Sequence, residues 1–106
     1  MGEGYVNAVS MLLLGLPGTP VVYYGDEIGM VDGVIPADKM KDPVGIKLGQ
    51  DKSSDPARTP MQWSSDVNAG FSDAEPWLPV NEDYPYKNVR VSKNNRAVDC
   101  FELLVM

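Results

Sequence analysis

The stretch Leu16–Met30, LPGTPVVYYGDEIGM, decides how the chain is read. At its centre, Val21, Val22, Tyr23 and Tyr24 form an unbroken run of β-branched and aromatic residues. No polar residue alternates with them. An apolar run bounded by turn residues predicts a strand buried on both faces, as in a parallel sheet. Pro17, Gly18 and Pro20 mark its beginning and Gly25 its end. Asp26 and Glu27 follow at the C-terminal end of the strand. That is the end at which α/β sheets and barrels carry ligands and chemistry.

Upstream, Glu3–Leu14 reads as a helix, with Val6, Val9, Leu13 and Leu16 on one stripe and Tyr5, Met11 and Leu12 widening it. Its second half is apolar nearly all round, which predicts cover on more than one side. Gly15 is placed to cap it and Pro17 stops it. Helix, short loop and buried strand make one αβ unit, so the fold class is α/β. Downstream, Val31–Ser54 is rich in Asp, Lys, Gly and Pro and predicts a long loop, with one helical turn near Pro36–Met40. Asp55–Val80 is loop-like but punctuated by Trp63, Phe71, Trp77 and Leu78 and stiffened by four prolines, which predicts a segment anchored by its aromatics. Asn81–Val91 leads through a turn towards another helix.

LPGTPVVYYGDEIGM resembles the eighth-strand region of the α-amylase-type (β/α)8 glycoside hydrolases, in their α-glucosidase and maltase branch, and within it the insect-type maltases. DPARTPMQW at Asp55–Trp63, NAGFS at Asn68–Ser72 and WLPVN at Trp77–Asn81 follow in the order the family shows. The resemblance covers Asn7–Val91. It implies a fragment of a TIM barrel comprising helix seven, strand eight and the following loops, with much of the rest irregular. A whole barrel needs about 250 residues, against the 106 here. Residues 1–91 are then a partial catalytic domain. Residues 92–106, SKNNRAVDCFELLVM, depart from the family and form a divergent tail, in which Ala97–Met106 can make a short helix.

Composition narrows the chemistry. The net charge is −6, which argues against nucleic acid and anionic membrane as partners and says little about neutral sugars. There is no histidine, so neither a Ser-His-Asp site nor a His-based metal site can be built from these residues alone. Cys100 is the single cysteine and cannot form an internal disulfide. Met1–Leu16 lacks the basic start of a signal peptide, so if the parent is secreted or membrane-anchored, its signal or anchor is expected upstream. No metal site and no cofactor are expected.

Asp26 and Glu27 are adjacent, and neighbours in an extended segment point to opposite sides. They cannot be the two carboxyl groups of one retaining glycosidase site, which stand about 5–5.5 Å apart across one bond. At most one faces a cleft; the other, or both, makes a structural ion pair or caps the loop. The resemblance implies that Glu27 is a framework residue near the site. Arg58 sits between Pro56 and Pro60, which restrict the backbone on both sides. A guanidinium held there can donate several fixed hydrogen bonds to sugar hydroxyls, or instead pair with Asp55 or another loop acid. The resemblance places Arg58 at the subsite where the glycosidic bond is cut. Family members commonly read SRDPAR, and Ser54 replaces their earlier arginine. Gln62, Asn68 and Phe71 are further candidates for contact with an α-glucoside oligosaccharide, and Trp63 and Trp77 are either ring-stacking platforms or loop anchors. The family's catalytic carboxylates lie on strands four, five and seven, so none is expected in this chain.

Three readings follow. One is a fragment of an α-glucosidase that hydrolyses terminal α-linked glucose from maltose-like oligosaccharides, in a parent that is extracellular or membrane-anchored. Another is a non-catalytic relative, the heavy subunit of an amino-acid transporter. The third is an unrelated small acidic binding module.

Overall fold

The structure, a computed structural model, describes residues 5–94. Three short α-helices appear among them: α1 (Val6–Gly15), α2 (Pro43–Leu48) and α3 (Val89–Asn94). Single 3₁₀ turns at Asp26–Ile28, Ala37–Lys39, Gln50–Lys52, Asp55–Arg58 and Val67–Gly70 join them. The tail helix expected at Ala97–Met106 lies outside the described residues.

Helix α1 forms where the apolar stripe predicts it, and its last helical residue is Gly15. The expected cover is missing. Val9, Met11, Leu12, Leu14 and Leu16 are all exposed, and Ser10 is buried in their place. The strand expected at Val21–Tyr24 is absent, and the described residues form helices, turns and irregular segments with no strand among them. The physical reason is pairing. A strand is defined by a ladder to a neighbour, and no described residue supplies one. Val21 is 82% exposed. The run ends in a turn in which Asp26 N–H donates to the Tyr23 carbonyl at 3.1 Å.

The segment after Met30 is more ordered than a loop. The helical turn expected near Pro36 is present at Ala37–Lys39. Helix α2 was not expected, because Val44, Ile46 and Leu48 do not follow a helical stripe and are exposed. Its ends carry it instead. Asp42 caps it by accepting the Val44 N–H at 3.0 Å, Pro43 occupies the first turn, and Gly49 ends it at a φ of 110°.

Two small apolar clusters tie the irregular part together. Ile28, Met61 and Val89 form one, with Met30 packed against it. Ile35, Met40 and Leu78 form the other. Polar groups hold the chain between them. Asp55 is 1% exposed, and its Oδ2 accepts the N–H of Asp42 at 2.8 Å and of Lys41 at 2.6 Å. Asp42 in turn accepts the Ser54 N–H at 2.7 Å. The two carboxylates thus lace 41–44 to 54–55 through backbone donors, just ahead of Arg58 in the same turn.

Candidate functional site

A cleft of about 350 Å³ opens between the Tyr24–Glu27 turn and the loops after Asp55. Tyr24, Glu27, Arg58, Thr59, Trp63, Phe71 and Trp77 line it, with Leu78 and Met61 at its floor. Each wall has its own local cause. Gly25, at a φ of 92°, turns the chain back sharply; Ile28 and Met30 N–H groups both donate to its carbonyl, at 3.2 and 2.9 Å. Its own N–H donates to Glu27 Oε2 at 2.8 Å, which holds that carboxylate at the cleft margin. The Tyr24 hydroxyl donates to the Thr59 carbonyl at 2.8 Å and pins this turn to the Arg58 segment. Burial, with the neighbouring Tyr23 ring 4.7 Å away, pushes the Tyr24 hydroxyl above its ordinary pKa, so it stays a neutral donor.

Arg58 closes its 3₁₀ turn and is exposed. Among the described residues it has no carboxylate within ion-pair distance, so the alternative of a pair with Asp55 is not realised; Asp55 is taken up by backbone donors. The cleft therefore carries a guanidinium whose donors are open to a ligand.

The third wall depends on an unusual turn. Asn68, Ala69 and Gly70 lie consecutively in left-handed backbone, at φ of 55°, 57° and 68°. Ala69 is fully buried, and its carbonyl accepts both Trp63 N–H, at 2.9 Å, and Ser64 N–H, at 3.0 Å. Asn68 Nδ2 donates to the Ser72 and Ala74 carbonyls, each at 3.1 Å. The turn is thus fixed from both flanks, and Trp63 and Phe71 on either side of it both line the cleft.

The structure brings together Glu27, Arg58 and Phe71 of the residues singled out in the sequence, and adds Tyr24 as a hydroxyl-bearing wall. Asp26 is not among the lining residues; its Oδ2 accepts the Tyr23 N–H at 3.0 Å. Gln62 is fully buried, and its Nε2 donates to Asp83 Oδ1 at 3.0 Å and to the Lys87 carbonyl at 2.5 Å. It tethers the 83–87 turn and does not reach the cleft. Asn68 is likewise taken up by backbone carbonyls. Trp63, Phe71 and Trp77 differ from loop anchors, because all three are about half-exposed or more along the cleft while the buried anchor is Leu78. The Tyr24 position was read from sequence only as part of a strand; its hydroxyl beside an acid turn was the available signal.

The sequence profile of the alpha-amylase catalytic domain matches residues 3–104. The chain belongs to the alpha-amylase family. It is 48% identical over 94 residues to the amino acid transporter heavy chain SLC3A1 of Homo sapiens, covering 88% of this chain and 13% of that protein. It is 43% identical over 101 residues to the salivary alpha-glucosidase of Aedes aegypti, covering 91% and 17%. Its described shape is similar to the crystal structure of the alpha-glucosyl transfer enzyme XgtA, with a TM-score of 0.84 at 29% identity over 95% of this chain and 19% of that one. The chain thus spans less than a fifth of the length of these alpha-amylase-family relatives, and its fold is a part of theirs.

Proposed function

We propose that this chain forms one wall of the glycoside-binding cleft of an α-glucosidase, a retaining glycoside hydrolase that releases terminal α-linked glucose from maltose-like oligosaccharides. The observation that carries the reading is the cleft itself. A guanidinium with no ion pair among the described residues, a held carboxylate and a phenol line the same cleft as three exposed aromatic residues. Sugars need that combination, because their hydroxyls take fixed hydrogen bonds while their C–H faces pack on rings. A few convergent polar groups in an otherwise apolar concavity of about 300–1,000 Å³ are the mark of small-molecule sites.

In this reading α1 and Leu16–Met30 correspond to helix seven and the eighth-strand region of the barrel, and residues 1–91 to the end of the catalytic domain. Arg58 donates to the sugar at the cleavage subsite, and Glu27 frames that subsite. The nucleophile and the acid/base carboxylate come from other parts of the parent, which is extracellular or membrane-anchored. Arg58 binds and orients the glucosyl unit and stabilises charge as the bond breaks, and the aromatic wall excludes water from one face of the ring.

The likeness to the human transporter heavy chain supports a second reading, in which the same wall serves a non-catalytic membrane partner of an amino-acid transporter. Among the described residues no helix is long and apolar enough to cross a membrane. Maltose hydrolysis by the purified full-length protein separates the two. Turnover above a mock preparation supports the hydrolase; a well-folded full-length protein without turnover supports the heavy chain.

A further inference from the structure

Arg58 is exposed, yet the backbone on both sides of it is held by bonds from distant parts of the chain. Before it, the Pro56 carbonyl accepts the Gly33 N–H at 2.9 Å. After it, the Thr59 carbonyl accepts the Tyr24 hydroxyl at 2.8 Å, across 35 residues of sequence. Thr59 is 2% exposed and extended, at φ −62° and ψ 156°, as the following Pro60 favours. Gly33 packs so closely on it that a Cβ there would stand 2.6 Å from the Thr59 methyl carbon. We propose that Tyr24 is a positioning residue for Arg58: its hydroxyl, bonded to the Thr59 carbonyl, fixes the backbone from which the guanidinium reaches the bound sugar. This deepens the proposed function and rests on it.

The bond also joins the two polar walls of the cleft. Tyr24 directly precedes Gly25, whose N–H holds the Glu27 carboxylate at 2.8 Å. One hydroxyl therefore ties the turn that carries Glu27 to the segment that carries Arg58. Burial raises the Tyr24 pKa, and the Arg58 charge acts in the opposite direction, so the guanidinium lies within electrostatic reach of the phenol. The phenol stays protonated through the neutral range and keeps donating. A group that must meet charge as it develops loses its effect steeply when displaced; a misplacement of about 1 Å can cost on the order of 100-fold in rate. The Gly33 bond and the Thr59 packing remain when the hydroxyl is removed, so the segment is expected to loosen and not to detach, with a smaller loss.

A double-mutant cycle on kcat/KM for maltose in the full-length protein tests this, using Tyr24→Phe, Arg58→Ala and the two combined, with a melting temperature for each. Tyr24→Phe is expected to lower kcat/KM roughly tenfold while Arg58 is present and by less than about twofold once Arg58 is gone. The variant keeps the ring and is expected to fold; should it melt lower, kinetics taken well below its transition still give the same comparison. An equal loss in both backgrounds would overturn the proposal, because the hydroxyl would then act on the fold at large or on the sugar directly. Wild-type kinetics in Tyr24→Phe would overturn it too and leave the proposed function standing. Absence of maltose turnover in the wild type would overturn the proposed function and the positioning role together.

Discussion

Asp42 and Asp55 show how single residues shape a segment that looks structureless in sequence. Each carboxylate accepts backbone N–H groups, and each is buried. Asp55→Ala would strand the Lys41 and Asp42 N–H donors, and a buried donor left unpaired costs about 1–3 kcal/mol. Urea unfolding of the full-length protein is expected to show that loss, and an unchanged midpoint would contradict it. The Asp42 carboxyl is held below the usual carboxylate range, chiefly by the Ser54 N–H and then by the Val44 N–H. A depressed folded-state pKa contributes stability that is present above the unfolded value near about 3.9 and is lost as pH falls through the folded value. Unfolding midpoints measured from neutral pH down into this acid range are expected to fall less steeply in Asp42→Asn than in the wild type; identical slopes would remove Asp42 from the explanation. Arg58 was a candidate because Pro56 and Pro60 restrict its backbone, Glu27 because it follows the apolar run, and Phe71 because an aromatic face can pack on a sugar ring. The tethering role of Gln62 was hidden, because an amide in sequence does not reveal that its Nε2 donates to Asp83 and to the Lys87 carbonyl.

At the scale of elements, helix α1 was legible because its apolar stripe is a local property. The strand at Val21–Tyr24 was not, because a strand belongs to a pair and no described residue pairs with it. Helix α2 was hidden from periodicity, although Asp42-Pro43 and Gly49 spell its cap, first turn and stop. The left-handed run Asn68–Ala69–Gly70 was also invisible, since only Gly favours that backbone and Ala69 adopts it while fully buried. Strain of this kind persists where the surroundings over-determine it, and here they aim two aromatic residues at a cleft. Gly70→Ala tests the turn. A Cβ there would stand 2.7 Å from Ser64 Oγ, at a φ of 68°. The left-handed backbone alone costs about 1–2 kcal/mol for an L side chain. The variant is expected to unfold at lower urea, and its maltose affinity to drop with Phe71 displaced. A variant with wild-type stability and affinity would mean that the turn adapts freely.

At the scale of the whole molecule, the two apolar clusters are small, and α1 and Val21–Tyr24 leave large apolar side chains exposed among the described residues. Ordering the backbone costs about 1–2 kcal/mol per residue, and two clusters of three buried residues offset little of that over the described segment. The isolated 106-residue chain is therefore expected to unfold without a shared cooperative transition in far- and near-UV circular dichroism. It is also expected to give no maltose turnover, since the proposed reading takes both catalytic carboxylates from other parts of the parent. One sharp transition in a soluble monomer would make these residues a domain in their own right and return the small binding module to consideration. The larger claim is that the open guanidinium of this chain grips the sugar at the point of cleavage. The direct measurement is kcat/KM for maltose in the full-length protein with and without Arg58→Ala, with the melting temperature read on the same samples. A charged hydrogen bond is worth about 1.5–3 kcal/mol, so kcat/KM is expected to fall roughly 10- to 150-fold at an unchanged melting temperature. Wild-type kinetics in a folded Arg58→Ala variant would show that Arg58 is a surface residue and that the cleft is not where the glycoside is held.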